Sequence, residues 1–258
     1  MDEGVIVIDA GSGSTKIGYS GEDTPRSIFP SVVDHPVLNE GTSRRPDVMD
    51  GAEDSSVHPV KRGMVTDWDQ MERLWDHTFG TELRTYPETG SVNGVPVLLT
   101  EPPLNDKKSR EQMARLMFET FKAPAVCICN SAVLSLFASG RTRGVVLESG
   151  SGVTSAVPIF EGFSLPHATL RENLAGQDVT QHLQGTLAAQ GHTELDLDIV
   201  RDIKEKLAVV SCPGTAQAQA GSSEYELPDG SMITIDSSCR SASADALLFV
   251  EGEDGEES

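Results

Sequence analysis

The sequence predicts an α/β fold of two related lobes around a cleft. Residues 5–16 (VIVIDAGSGSTK) and 144–154 (GVVLESGSGVT) follow one plan: an apolar β-branched run, an acid, Gly-Ser-Gly, then a hydroxyl two residues on. Asp9 matches Glu148, Gly11 matches Gly150, Ser12 matches Ser151, Gly13 matches Gly152 and Thr15 matches Thr154. After each copy, strand-like and helix-like stretches alternate, which is the pattern of α/β architecture. With 258 residues, the chain is long enough to bury a large core as one large domain or two.

The elements read in order as follows. Residues 5–9 form a strand expected to be buried on both faces, and 16–20 its hairpin partner. Residues 34–63 lack periodicity and are rich in Asp, Pro, Ser and Gly, which predicts a mobile loop or small irregular subdomain. Thr66 or Asp67 caps a helix with Met71, Leu74, Trp75 and Phe79 on its apolar face. Residues 88–95 read as a turn and 95–100 as a buried strand. Asn105 is the expected cap of a helix that turns Met113, Leu116, Met117 and Phe121 inward. Residues 125–129 read as a strand and 131–139 as a helix.

In the second half, strands are expected at 144–149 and 153–159 and helices at 174–190 and 197–210, the last with Ile199, Val200, Ile203 and Leu207 on one side. Residues 211–224 are low in complexity and read as a flexible loop. Residues 251–258 form an acidic tail.

The formal net charge of −20 argues against direct nucleic-acid binding, which needs a basic footprint. No apolar run is long enough to cross a membrane. Cys127, Cys129, Cys212 and Cys239 fit no zinc spacing and read as free thiols of a reducing compartment. The thiols of Cys127 and Cys129, on one strand, are expected to point to opposite faces. The six histidines show no metal-ligand spacing.

A single Gly-Ser-Gly turn is an ordinary hairpin. Two copies, each with an acid at the same offset, suggest two clamps closing on one polyphosphate, because glycine turns expose backbone N–H groups without a Cβ in the way. The flanking words narrow this. Residues 19–31 (YSGEDTPRSIFPS), 65–79 (VTDWDQMERLWDHTF), 97–105 (VLLTEPPLN), 157–168 (VPIFEGFSLPHA), 200–207 (VRDIKEKL) and 225–230 (YELPDG) resemble actins and actin-related proteins. They are unlike the sugar kinases or chaperones of the same superfamily. The resemblance runs over about residues 4–248.

It implies ribonuclease-H-like sheets, a first lobe at 1–33 and 64–138, a reduced subdomain-2-like region at 34–63, and a partial second lobe at 139–250. Nothing after residue 249 resembles an actin, so the second lobe is expected to be incomplete. The implied ligand is ATP or ADP with Mg²⁺. Gly11, Ser12, Gly13, Ser14, Thr15 and Lys16 form the first clamp, with Lys16 reaching the phosphates. Gly150, Ser151, Gly152, Val153 and Thr154 form the second. Asp9 and Glu148 face the metal through its water shell. Arg201, Lys204 and Glu205 match residues that line the adenosine pocket; read without the family, they are a solvated helix face with an Arg201–Glu205 pair one turn apart.

The departures fall on the hydrolytic apparatus. Ser131 stands where actins carry the Gln that orients water, Ser155 where they carry a His, and Ser151 and Glu148 replace aspartates. A serine reaches less far than glutamine and does not titrate near neutrality as histidine does. Positioning is most of phosphoryl-transfer catalysis, so losses on the order of 10²-fold at each such site are expected. These changes favour an actin-related structural protein or scaffold with weak or structural ATP binding, little hydrolysis and protein partners, actin or other cytoskeletal subunits among them. The close match over 144–210 favours a cytoplasmic, cytoskeletal setting. An ATP-hydrolysing filament subunit and a nuclear chromatin-remodelling subunit are the alternatives.

Overall fold

The computed structural model describes residues 4–34, 56–85, 92, 94–210 and 221–241. The chain divides into two compact units, Met1–Asn173 and Leu174–Ser258.

The first unit is built on a five-stranded mixed sheet. β1 (Ile6–Ala10), β2 (Ser14–Tyr19) and β3 (Ser27–Pro30) form an antiparallel meander. Two short ladders follow: β4 (Val33–Asp34) with β5 (Ser56–Val57), and β6 (Val60–Lys61) with β7 (Met64–Val65). Of the last eight residues of the stretch expected to be irregular, Ser56–Val57 and Val60–Lys61 are therefore strand; residues 35–55 lie outside the described residues. α1 (Trp68–His77) leads to β8 (Val97–Glu101), and α2 (Lys107–Arg115) leads to β9 (Val126–Asn130). β8 runs parallel to β1, and β9 runs parallel to β8, giving the order β3-β2-β1-β8-β9. Parallel neighbours require a crossover connection, and α1 and α2 lie on those crossovers.

α1 begins at Asp67, whose carboxylate accepts the Gln70 N–H at 3.0 Å. Its buried face is Met71, Leu74 and Trp75, continued by Phe79 in a π-turn over Thr78–Glu82. These side chains pack on Ile6, Ile8, Ile17, Val97 and Leu99 of the sheet, with Met113, Leu116, Met117 and Phe121 beside them. Phe121 meets Trp75 edge-on at 6.3 Å and Phe79 at 5.0 Å. Each large apolar side chain so buried contributes about 1.5–3 kcal/mol. Ile6 and Ile8 on one face of β1 are buried, whereas Val7 and Asp9, on the other face, are partly exposed, which corrects the expectation of a strand covered on both sides.

Asp106, not Asn105, caps α2, its carboxylate accepting the Ser109 N–H. The Asn105 amide instead donates to Glu101 Oε2 at 3.0 Å. Glu101 is only 5% exposed and also takes a two-pronged contact from Arg110. The acceptor oxygens of a buried carboxylate need donors, and Asn105 is drawn to Glu101.

The rest of the first unit is α3 (Ser131–Ala138) and a sheet of β10 (Gly144–Ser149), β11 (Thr154–Phe160), β12 (Phe163–Ser164) and β13 (Leu170–Glu172). β11 is antiparallel to each of the other three. Ala132 and Leu136 of α3 pack on Val157 and Ile159. The opposite face is open: Val145 is 68% exposed, Leu147 74% and Leu170 69%, with Phe160 and Phe163 also exposed.

In the second unit, α4 (Gly176–Ala189) and α5 (Leu197–Leu207) pack with a hairpin of β14 (Ser223–Glu226) and β15 (Met232–Ile235). Leu183, Leu187, Val200, Ile203, Ile235 and Cys239 form its core. β14 occupies the end of the stretch expected to be a loop, while 211–220 and the acidic tail lie outside the described residues. α5 stops at Leu207, because Ala208 leaves the helical region at φ −63°, ψ 141°. Among the described residues no helix is long and apolar enough to cross a membrane.

Candidate functional site

Both repeated hairpins lie in the first unit, and their turns face each other. Each turn closes in the same way: the Gly11 N–H donates to Ser14 O at 3.1 Å, and the Gly150 N–H to Val153 O at 3.0 Å. A Cβ built on Gly13 would stand 2.8 Å from both Cβ and Oγ of Ser151. A Cβ on Gly152 would stand 2.7 Å from Ser12 Oγ and 2.9 Å from Ser12 Cβ. Glycine of each turn thus seats serine of the other. Neither glycine has a positive φ, so closeness of approach, not backbone conformation, requires glycine here.

The acids sit at the ends of the two strands. Asp9 accepts the Thr100 hydroxyl at 2.6 Å and pairs with Lys16 at 3.3 Å. Glu148 accepts the Ser131 hydroxyl at 3.1 Å and the Ser135 hydroxyl at 2.5 Å. Thr15 is buried, its hydroxyl 2.8 Å from that of Ser31, and Thr154 makes the same contact with Ser149. Ser155 is buried and sits in register between Glu148 and Arg171. Among the described residues no group of three or more His, Cys, Asp or Glu gathers as a direct metal cage.

Arg62, Gly63 and Arg171 belong to this site although sequence reasoning did not single them out. The Gly63 N–H donates to Ser12 Oγ at 2.7 Å. Arg62, at φ +50°, sends Nη1 to Asn173 O at 2.8 Å and to Gly152 O at 3.4 Å. Arg171 holds that bend by donating to Arg62 O, and reaches Pro103 O at 3.3 Å. Burial lowers the Arg171 pKa from its ordinary value. These contacts span 51 to 111 residues of sequence, so no local pattern marks them.

Arg201, Lys204 and Glu205 lie in the second unit. Arg201 pairs with Asp198 at 2.9 Å, three residues back, and not with Glu205. An acid N-terminal to its base is the better order on a helix, and Asp198 lies in the first turn of α5. Lys204 donates to Gly176 O and to Thr180 Oγ1, both at 2.9 Å, and burial lowers its pKa. Here Lys204 ties α5 to the start of α4.

Cys127 and Cys129 correct an expectation. Side chains two apart on a strand share a face. The two sulfurs are 3.5 Å apart on the same side of β9.

A mixed α/β unit that sets two matching strand–glycine–strand turns against each other, with an acid near the end of each leading strand, defines a protein built around a duplicated glycine-turn hairpin. A family model described as Actin matches residues 1–197. The chain belongs to the actin family.

Proposed function

We propose that this chain is a structural, scaffold-type actin-related protein of a cytoplasmic cytoskeletal assembly, holding ATP or ADP with Mg²⁺ weakly or structurally and hydrolysing it little. The observation that carries this is the commitment of the polar groups at the hydrolytic positions. The Ser131 hydroxyl is spent on Glu148, and Ser155 is buried in the β-ladder. Neither is a long amide or a titrating imidazole able to position water.

The residues fit a polyphosphate in chemistry. Two glycine turns converge, serines stand at both tips, and Lys16, Arg62 and Arg171 bring positive charge around them. Ser12–Lys16 and Gly150–Thr154 would hold the phosphates, and Asp9 and Glu148 would meet the metal through water. The bound nucleotide would supply the phosphate oxygens and the cation that these groups neutralise. As the turns already touch, anything seated between them must part them, which weakens binding by the contacts given up. The open apolar face of the β10–β13 sheet supports a protein partner.

The test is titration of the full chain with a fluorescent ATP analogue and Mg²⁺, followed by phosphate release. Saturable binding without release above the buffer rate is expected. Release that accelerates on self-assembly would overturn the reading in favour of a working filament ATPase. Absence of any binding would remove the nucleotide from it.

A further inference from the structure

We propose that Cys127 and Cys129 form a two-sulfur chelating site for a monosubstituted trivalent arsenic centre, or a thiophilic group of the same valence. The two side chains lie on one face of β9, an edge strand of the five-stranded sheet. Cys127 is exposed and Cys129 partly so, so a small reagent reaches both. Their sulfurs stand 3.5 Å apart without any backbone movement. With bonds to sulfur of about 2.3 Å, the length of a zinc–thiolate bond, that separation subtends about 100° at the bound atom, a pyramidal angle.

The number of donors selects among thiophilic ligands. A structural zinc site takes four protein donors, and among the described residues no third His, Cys, Asp or Glu joins the pair. A monosubstituted trivalent arsenic needs only two sulfurs, its third position being its own substituent. The protonation chemistry agrees. Burial, the neighbouring thiol and Glu101 push Cys129 up to about 11, which disfavours thiolate-based oxidation and metal coordination. An arsenical takes up neutral thiols and leaves a neutral product. With phenylarsine oxide both S–H bonds break, two As–S bonds form, and the oxygen leaves as water with both protons. Arsenic stays trivalent and no electrons are transferred. A disulfide is less well accommodated, since two residues along a strand span about 6.6 Å, at the upper end of the usual Cα range of about 4.4–6.8 Å.

The full chain is treated with phenylarsine oxide and mapped by mass spectrometry. The expected result is one phenylarsenic group, less two hydrogens, on the peptide carrying Cys127 and Cys129. Excess 2,3-dimercaptopropanol should remove it, while excess 2-mercaptoethanol should not. C127S and C129S should each lower the affinity in monothiol by about 100-fold, the gain expected of joining two weak contacts. The proposal fails if 2-mercaptoethanol strips the wild-type adduct, if the group maps to Cys212 or Cys239, or if both variants bind as wild type. Recovery of the pair as a disulfide under reductant would also overturn it. The comparison of monothiol with dithiol reversal uses wild-type protein alone, so it stands whatever the variants do.

Discussion

Gly13→Ala tests whether the two turns really interlock. The new Cβ would lie 2.8 Å from both Cβ and Oγ of Ser151, and Cβ is not a flexible tip that can swing aside. One turn must retreat, and forced contacts of this kind cost about 1–3 kcal/mol. Because Gly13 has an ordinary φ, alanine also gains about 0.4–1 kcal/mol by restricting the unfolded chain. The net loss should be about 1–2 kcal/mol, or a fall in Tm of about 2–8 °C for a chain of this size. Ser151→Gly removes both clashing atoms. In that background Gly13→Ala should become neutral or stabilising, a reversal of sign. The assay is thermal and urea unfolding of the full chain read by tryptophan fluorescence, since Trp68 and Trp75 both belong to the first unit. If the two substitutions add to within about 0.3–0.5 kcal/mol, the turns do not touch and the facing-clamp arrangement is wrong.

Other perturbations follow from the same structure. Arg110→Met leaves the nearly buried Glu101 with only Asn105 as side-chain donor, and should cost about 2 kcal/mol in urea unfolding of the first unit. Lys204→Met removes the Lys204 donor from Thr180 Oγ1 and leaves Gly176 O with the Thr180 hydroxyl as side-chain donor, so hydrogen exchange at the α4–α5 contact should speed up by about tenfold, a loss near 1.4 kcal/mol. Asp236 is held below its ordinary value of 3.8 by the Cys239 N–H, the Ser238 hydroxyl and the Gln190 amide. A depressed carboxylate stabilises above its unfolded pKa, and that stability disappears as the pH falls through the folded one. Asp236→Asn should therefore flatten the acid side of the second unit's pH–stability curve between about pH 4 and its lower folded value, with little change in slope above pH 5.

What the sequence showed was local and periodic. The β1–β2 and β10–β11 hairpins, the Met71–Trp75 face and strands β8 and β9 are patterns among residues close together in the chain, and each stands in the structure near its expected bounds. The misses have separate causes. Asn105 is a residue type that caps well; what draws it away from the helix end is the demand of Glu101 for a donor, a tertiary fact. The Cys127–Cys129 error was one of parity along a strand. Arg201 could reach an acid on either side along α5, and the helix end decided for Asp198. Arg62 and Arg171 were invisible because they act through carbonyl oxygens, which every residue has. Only the fold says that Gly152, Asn173 and Pro103 are the ones in reach.

The bare face of the β10–β13 sheet has a colloidal consequence. Around neutral pH a net charge of −20 keeps copies of the chain apart, so neighbouring molecules rarely bring Val145, Leu147 and Leu170 together. Repulsion falls as the square of the charge, and it vanishes near the isoelectric point of about 4.5. At that acidity nothing opposes attraction between the exposed sheets. Turbidity should then rise well before the folded structure is lost, and salt, which screens the same repulsion, should move its onset toward neutral pH.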